Sequence, residues 1–161
     1  QHRVGVETPT RLNSRALDEA RRLGAADVTL SFEIALKQAE RLAGETPRGI
    51  LAYGRLPLMT YRNCPAKGAK GCGNCTGQSA LTDRMNKRFP VVCRGRAYSQ
   101  MLNSVPLYLA DKLEQAPNLD FLTLYFTTED AQACAAVVRQ YLSHAPAEGE
   151  FTRGLYFRSL Q

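Results

Sequence analysis

Four of the chain's five cysteines, Cys64, Cys72, Cys75 and Cys93, stand in one segment, separated by seven, two and seventeen residues. A two-residue gap lets neighbouring thiolates converge on one ion or cluster, and Gly71, Gly73 and Gly77 give the backbone freedom to wrap it. Four sulfurs complete a coordination sphere. Ligation by four thiolates suits zinc and an iron–sulfur cluster alike. Disulfides are disfavoured because nothing in the sequence marks a secreted chain. A redox pair at Cys72 and Cys75 would belong at a helix start just after a strand, whereas here the pair lies in a long basic stretch. Asn74-Cys75-Thr76 fits a glycosylation pattern that has no meaning if Cys75 is engaged. Cys134 differs from the other four, since beside Ala133, Ala135 and Val138 it reads as a small core residue on a helix face.

The same segment is strongly basic. Between Tyr61 and Gln100 there are eight basic residues, Arg62, Lys67, Lys70, Arg84, Lys87, Arg88, Arg94 and Arg96, against the single acid Asp83. That local excess of +7 accounts for the whole-chain charge of +6, so the remainder is close to neutral. The charges either compensate thiolates or attract a polyanionic substrate such as RNA. On the second reading Arg62, Lys70, Arg84, Arg88, Arg94 and Arg96 bind substrate. Asp83 and Arg84 read as an ion pair bracing the loop. His2 and His144 read as solvated, and no nucleophile–histidine–acid triad is visible.

The elements around this segment alternate. Asn13 to Gly24 reads as a helix capped by Asn13 or Ser14, Asp27 to Leu30 as a strand, and Ser31 to Leu42 as a second helix. Gly49 to Tyr53 is a strand, and Tyr61 to Arg88 a connection too long for an ordinary loop, which a metal would order. Phe89 to Cys93 looks extended, Pro106 to Gln115 looks helical, and Asp120 to Phe126 is the clearest strand. A last helix, capped by Thr127 or Thr128, runs to about Ser143. Alternation of this kind predicts an α/β fold of parallel strands with crossover helices, an open sheet or the second half of a TIM-type barrel, over residues 1–161, with residues 61–97 inserted as a cysteine-rich segment. The start at Gln1, running at once into Val4-Gly5-Val6, reads as a piece of a longer chain. With 44% apolar residues a real core can form. No apolar run approaches the ~20 residues of a bilayer span, so no membrane is expected and a cytoplasmic location is the default.

A family resemblance rests on an ordered set of motifs: Tyr53-Gly54-Arg55-Leu56-Pro57-Leu58-Met59, Asn63-Cys64-Pro65, Cys72-Gly73-Asn74-Cys75, Leu81-Thr82-Asp83-Arg84, Phe89-Pro90-Val91-Val92-Cys93-Arg94 and Leu102-Asn103-Ser104-Val105-Pro106-Leu107-Tyr108, with the tail Thr152 to Arg158. In these the chain resembles the collagenase-like peptidase family U-thirty-two. The resemblance implies the second half of a barrel-type core domain and a four-iron four-sulfur cluster on four cysteines. It also implies either oxygen-independent hydroxylation of RNA or a planar small molecule, or peptidase action on collagen-like chains. A zinc-stabilised module that docks RNA or protein is the third expectation. Two departures stand out. Ala52-Tyr53-Gly54-Arg55 replaces a histidine-bearing stretch common in the family, and no cysteine occurs near Leu107 to Asp111, where several members place a ligand. A half barrel would expose strand edges, so self-association, or covering by the remainder of a longer chain, is expected.

Overall fold

A computed structural model describes residues 13–158, except 68–71, 73, 74, 76, 96, 116 and 117. Val4-Gly5-Val6, His2, Lys70 and Arg96 therefore lie outside the described residues.

The chain opens with α1 (Ser14–Arg22), capped by Asn13, whose side chain accepts from the Ala16 N–H at 3.0 Å. It then forms β1 (Val28–Leu30), α2 (Leu36–Arg41) and β2 (Arg48–Gly54). The second helix is shorter than expected. Ser31 caps a turn instead, its Oγ accepting from the Glu33 N–H, and the helix begins only after Ala35. After β2 come β3 (Pro57–Tyr61), β4 (Gln78–Thr82), β5 (Arg88–Arg94) and β6 (Tyr98–Leu102). The chain returns through β7 (Leu107–Tyr108), a 3₁₀ turn (Ala110–Gln115), β8 (Phe121–Tyr125) and α3 (Ala131–Leu142). Leu107 and Tyr108 are strand where a helix from Pro106 was expected. The last helix is capped by Asp130, which accepts from Ala133 N–H at 2.8 Å, rather than by Thr127 or Thr128.

Two sheets result. In the first, β2 is the middle strand, parallel to both β1 and β8 and antiparallel to β7. Because β8 pairs along nearly the whole of β2, β1 (against Arg48–Ile50) and β7 (against Tyr53–Gly54) must share the opposite flank end to end. In the second sheet the order is β3-β6-β5-β4 and every pair is antiparallel.

This overturns the expectation of βα units resembling half a TIM barrel. Parallel neighbours need a crossover of a dozen or more residues, whereas β4 to β5 and β5 to β6 are joined by tight turns that allow only antiparallel pairing. The glycine-rich, basic stretch read as one long connection holds β4 and a hairpin. The antiparallel sheet enters between β2 and β7, so the strands cluster instead of alternating with helices.

The core gathers on the β2 sheet, where Leu17, Leu30, Leu36, Ala39, Ile50, Leu107, Val137, Tyr141 and Tyr156 pack as one cluster. A bulge between Leu51 and Tyr53 leaves Ala52 as an extra residue in β2. Buried carbonyls beside a bulge need donors from elsewhere. Tyr141 donates to the Ala52 carbonyl at 2.6 Å and Tyr156 to the Leu51 carbonyl at 2.8 Å. The Tyr141 oxygen also accepts from the Leu109 N–H at 2.9 Å, which ties the return strand to the same point. The tail closes alongside β7, where the Tyr108 N–H donates to the Thr152 carbonyl at 3.0 Å and the Thr152 N–H to the Pro106 carbonyl at 2.9 Å. There Arg153 forks onto Asp111 at 2.5 and 2.7 Å.

Tyr141→Phe removes one donor and one acceptor from buried backbone groups, and should cost about 2 to 4 kcal/mol in denaturant unfolding. A loss under ~0.5 kcal/mol would contradict this role. Burial also raises the phenol of Tyr53 to about 12, with the Glu129 charge adding to it, and burial raises Tyr141 and Tyr156 as well. Folded-state values above the unfolded value of about 10 favour the neutral phenol. This contribution to stability is therefore complete below about pH 10 and is lost as pH rises towards 12. A phenolate-absorbance titration should find these three of the seven tyrosines silent until alkaline unfolding begins. Smooth ionisation of all seven in the folded protein would refute it.

Candidate metal centre and adjoining cleft

Antiparallel register places Cys93 and the strand ends that lead to the other three cysteines. Tyr61 pairs with Ser99, Ser99 with Cys93, and the Cys93 N–H donates to the Gly77 carbonyl at 2.8 Å. One end of the second sheet is thus a row running Tyr61, Ser99, Cys93, Gly77 across its four strands. Cys64 lies three residues beyond Tyr61, and Cys75 two residues ahead of Gly77. The Cys75 N–H donates to the Cys72 carbonyl at 3.3 Å. Sequence positions spread over thirty residues are therefore brought to one end of one sheet.

All five cysteines are free thiols, with Cys72, Cys75 and Cys93 exposed and Cys64 and Cys134 half-buried. Cys134 sits apart, on α3. The thiols do not close on a common point: among the described residues no three Cys, His, Asp or Glu side chains are grouped as metal ligands. What fits a thiolate-held group is the donor set and its surroundings. The Gly77 N–H donates to Cys75 Sγ at 3.3 Å, and hydrogen bonds to sulfur are a means of tuning such a centre. Ser99, opposite Cys93 and only 1% exposed, keeps a buried hydroxyl with no partner among the described residues. An unsatisfied buried hydroxyl is costly and calls for an acceptor.

The basic residues divide between the two ends of the sheet. Arg62 follows β3 and Arg94 closes β5, both at the cysteine end. Arg84 and Arg88 lie at the β4–β5 turn, about 20 Å away at ~3.3 Å per residue along β5. That is roughly two Debye lengths in physiological salt, too far for those two to neutralise thiolates. Lys87 there pairs with Glu150 at 2.5 Å. Asp83 is occupied differently from expectation. Its Oδ1 accepts from the Met85 and Lys87 N–H groups at 2.8 and 2.9 Å, so it builds the turn.

Compared with family models, curated proteins and solved structures, the chain matches none. The reading of this region therefore rests on its own residues.

Sequence reasoning missed a second feature. A cleft of about 650 Å³ separates the two sheets, with Thr29, Leu51, Thr123 and Tyr125 on one wall and Pro57 to Thr60 and Gln100 on the other. It opens by the carboxyl ends of the parallel strands β1, β2 and β8, where ligands bind in open α/β sheets. Tyr125, last residue of the clearest strand, was the available signal. Arg94 bridges the walls, donating to Gln100 Oε1 at 3.3 Å and to the Tyr125 hydroxyl at 2.5 Å. Since side chains alternate along a strand, Cys93 and Ser99 occupy one face of the sheet and Arg94 and Gln100 the other.

Asp83→Ala should lower stability by roughly 1 kcal/mol through loss of both turn acceptors. Hydrogen exchange of the β4 and β5 amides should rise more than that of β2. Equal acceleration in both sheets would mean that the hairpin is not an independent unit.

Proposed function

We propose that Cys64, Cys72, Cys75 and Cys93 hold a four-iron four-sulfur cluster, with zinc as the alternative occupant, in a protein of the collagenase-like peptidase family U-thirty-two. The supporting observation is the placement of four free thiols at one end of the antiparallel sheet, next to the unpartnered hydroxyl of Ser99. On this reading the chain is part of a longer cytoplasmic enzyme that hydroxylates RNA or another planar substrate without oxygen, using a separate oxidant. The cluster supplies redox or Lewis-acid chemistry when bound. Arg62 and Arg94 are placed to offset its charge, while Arg84 and Arg88 are left to meet substrate phosphates. Lys70 and Arg96 belong to the same basic set by sequence.

No helix among the described residues is long and apolar enough to cross a membrane. Every residue of β8 is partly exposed, and its outer edge has no partner strand among the described residues. Covering of that edge by the remainder of a longer chain, or by a second copy, belongs to the same proposal.

Anaerobic purification should yield broad visible absorbance and about four irons per chain, as a four-iron cluster requires. Cys64→Ser or Cys93→Ser should abolish both, and Cys134→Ser neither. Stoichiometric zinc without colour would instead favour a structural site in a docking module. Peptide cleavage that survives the cysteine substitutions would favour the peptidase.

A further inference from the structure

Ser99 is 1% exposed, and its hydroxyl has no hydrogen-bond partner among the described residues. Strand geometry shows which groups face it. The Cys93 N–H donates to the Gly77 carbonyl, and in an antiparallel ladder the N–H and C=O of one residue point to the same neighbouring strand. Both backbone groups of Cys93 are therefore turned towards β4. Across the other flank, Cys93 and Ser99 oppose each other as a pair without mutual backbone hydrogen bonds, the closer of the two kinds, with Cα atoms about 4.5 Å apart. Their side chains leave the same face of the sheet from neighbouring points. On its far side Ser99 pairs with Tyr61, whose hydroxyl is directed to Met59 Sδ at 3.2 Å. The sulfur of Cys93 is thus the acceptor that the register sets beside the Ser99 hydroxyl. A neutral thiol accepts weakly, whereas a metal-bound thiolate carries negative charge and accepts strongly. Cys75 has a comparable donor already, since the Gly77 N–H reaches its Sγ at 3.3 Å.

We infer that the Ser99 hydroxyl donates to the Cys93 thiolate when that sulfur holds a metal, and so tunes the affinity of the site and, with an iron–sulfur cluster, its reduction potential. The inference rests on the proposed function for Cys93 as a ligand, but not on which metal is held. A hydrogen bond to sulfur favours the more negatively charged state, so the potential is higher with the hydroxyl than without it. Ser99 is a positioning residue, acting only through Cys93. An ordinary packing role would behave differently. Without metal, removing a buried hydroxyl that lacks a partner is neutral or stabilising, whereas with metal the same change deletes a charge-assisted hydrogen bond.

The test is an anaerobic titration of the full chain with cobalt(II), read by thiolate-to-cobalt absorption, on the parent and on variants at Ser99. Ser99→Ala should weaken cobalt binding about tenfold, the lower end of what loss of an outer-shell partner costs. The melting temperature of the metal-free chain should stay level or rise. Ser99→Thr keeps the hydroxyl and should bind about tenfold more tightly than Ser99→Val. Those two side chains have nearly the same shape, so any clash is common to both. Where iron loads as a cluster, Ser99→Ala should shift the reduced-to-oxidised ratio about tenfold towards the oxidised form, about 59 mV for one electron. Equal cobalt affinity in the parent and Ser99→Ala chains, or in the Thr and Val variants, would overturn the inference. Failure of the parent to bind cobalt would overturn it together with the four-cysteine site. Cobalt affinity that depends on the hydroxyl, in a chain that never assembles iron, sinks the cluster and leaves the hydrogen bond. A four-iron cluster with one potential in parent and Ser99→Ala sinks the hydrogen bond and leaves the cluster.

Discussion

The strand β2 carries the structure, because it alone pairs on both flanks with segments from distant parts of the chain. β1, β7 and β8 all hydrogen-bond to it, and two close approaches make that possible. At Gly49 an added Cβ would run into the Phe121 ring, and at Gly54, where φ is +134°, it would meet the Tyr125 carbonyl. A side chain at either position would push β8 away. The bulge at Ala52 frees backbone carbonyls in the middle of the core, and the Tyr141 and Tyr156 hydroxyls reach them from α3 and from the C-terminal tail. Distant chain segments therefore converge on a span of two residues, where loss of a donor leaves a buried carbonyl unpaired.

The antiparallel sheet depends on β2 through a narrow neck. The chain leaves at Arg55–Leu56 and returns at Asn103–Pro106, and the Asn103 N–H donates to the Leu56 carbonyl at 2.8 Å. Arg55 spans the neck, donating to the Asn103 carbonyl at 3.1 Å and to the Ser104 carbonyl. Beyond this neck the sheet buries Val91 and Ser99 on one face and Val92 and Leu102 on the other. Its orientation over the carboxyl ends of β1, β2 and β8 is set by the neck and by the Arg94–Tyr125 contact. The cleft between the sheets follows from that geometry.

Much of the first sheet was legible. The α1 cap at Asn13, the buried strand around Ile50, the strand from Phe121 and the helix through Val137 and Tyr141 all follow from helical or alternating periodicity. Of the antiparallel sheet only β5, expected as an extended run from Phe89 to Cys93, was legible, for a physical reason. Its strands are short, and β3 and β4 are largely half-exposed, so no apolar period separates them from a polar loop. Pairing across hairpins, which propensity does not encode, defines them instead. Cysteine spacing singled out one segment yet could not say that Cys64, Cys75 and Cys93 would lie towards one end of one sheet. Nor could a charge count show that Arg84 and Arg88 would be carried to the opposite end. The tyrosines at the bulge gave no signal at all, since their role exists only once β2 is paired on both sides.

Neighbouring residues of β5 serve both regions of interest. Cys93 faces the side of the sheet that holds Ser99, and Arg94 faces the cleft, because successive side chains point to opposite faces. A one-residue slip of β5 against β6 would exchange them, turning a guanidinium to the face that holds Ser99 and leaving Gln100 and Tyr125 without their shared donor. Register is thus a functional constraint as well as a structural one. It is set at the far end of the hairpin, where Asp83 closes the β4–β5 turn onto two backbone N–H groups. It is set again at the near end by the Cys93–Gly77 hydrogen bond. Against β6 the register is carried by the pairs from Val91–Met101 to Arg94–Tyr98, so the cysteine end and the cleft are positioned by one strand held on both flanks.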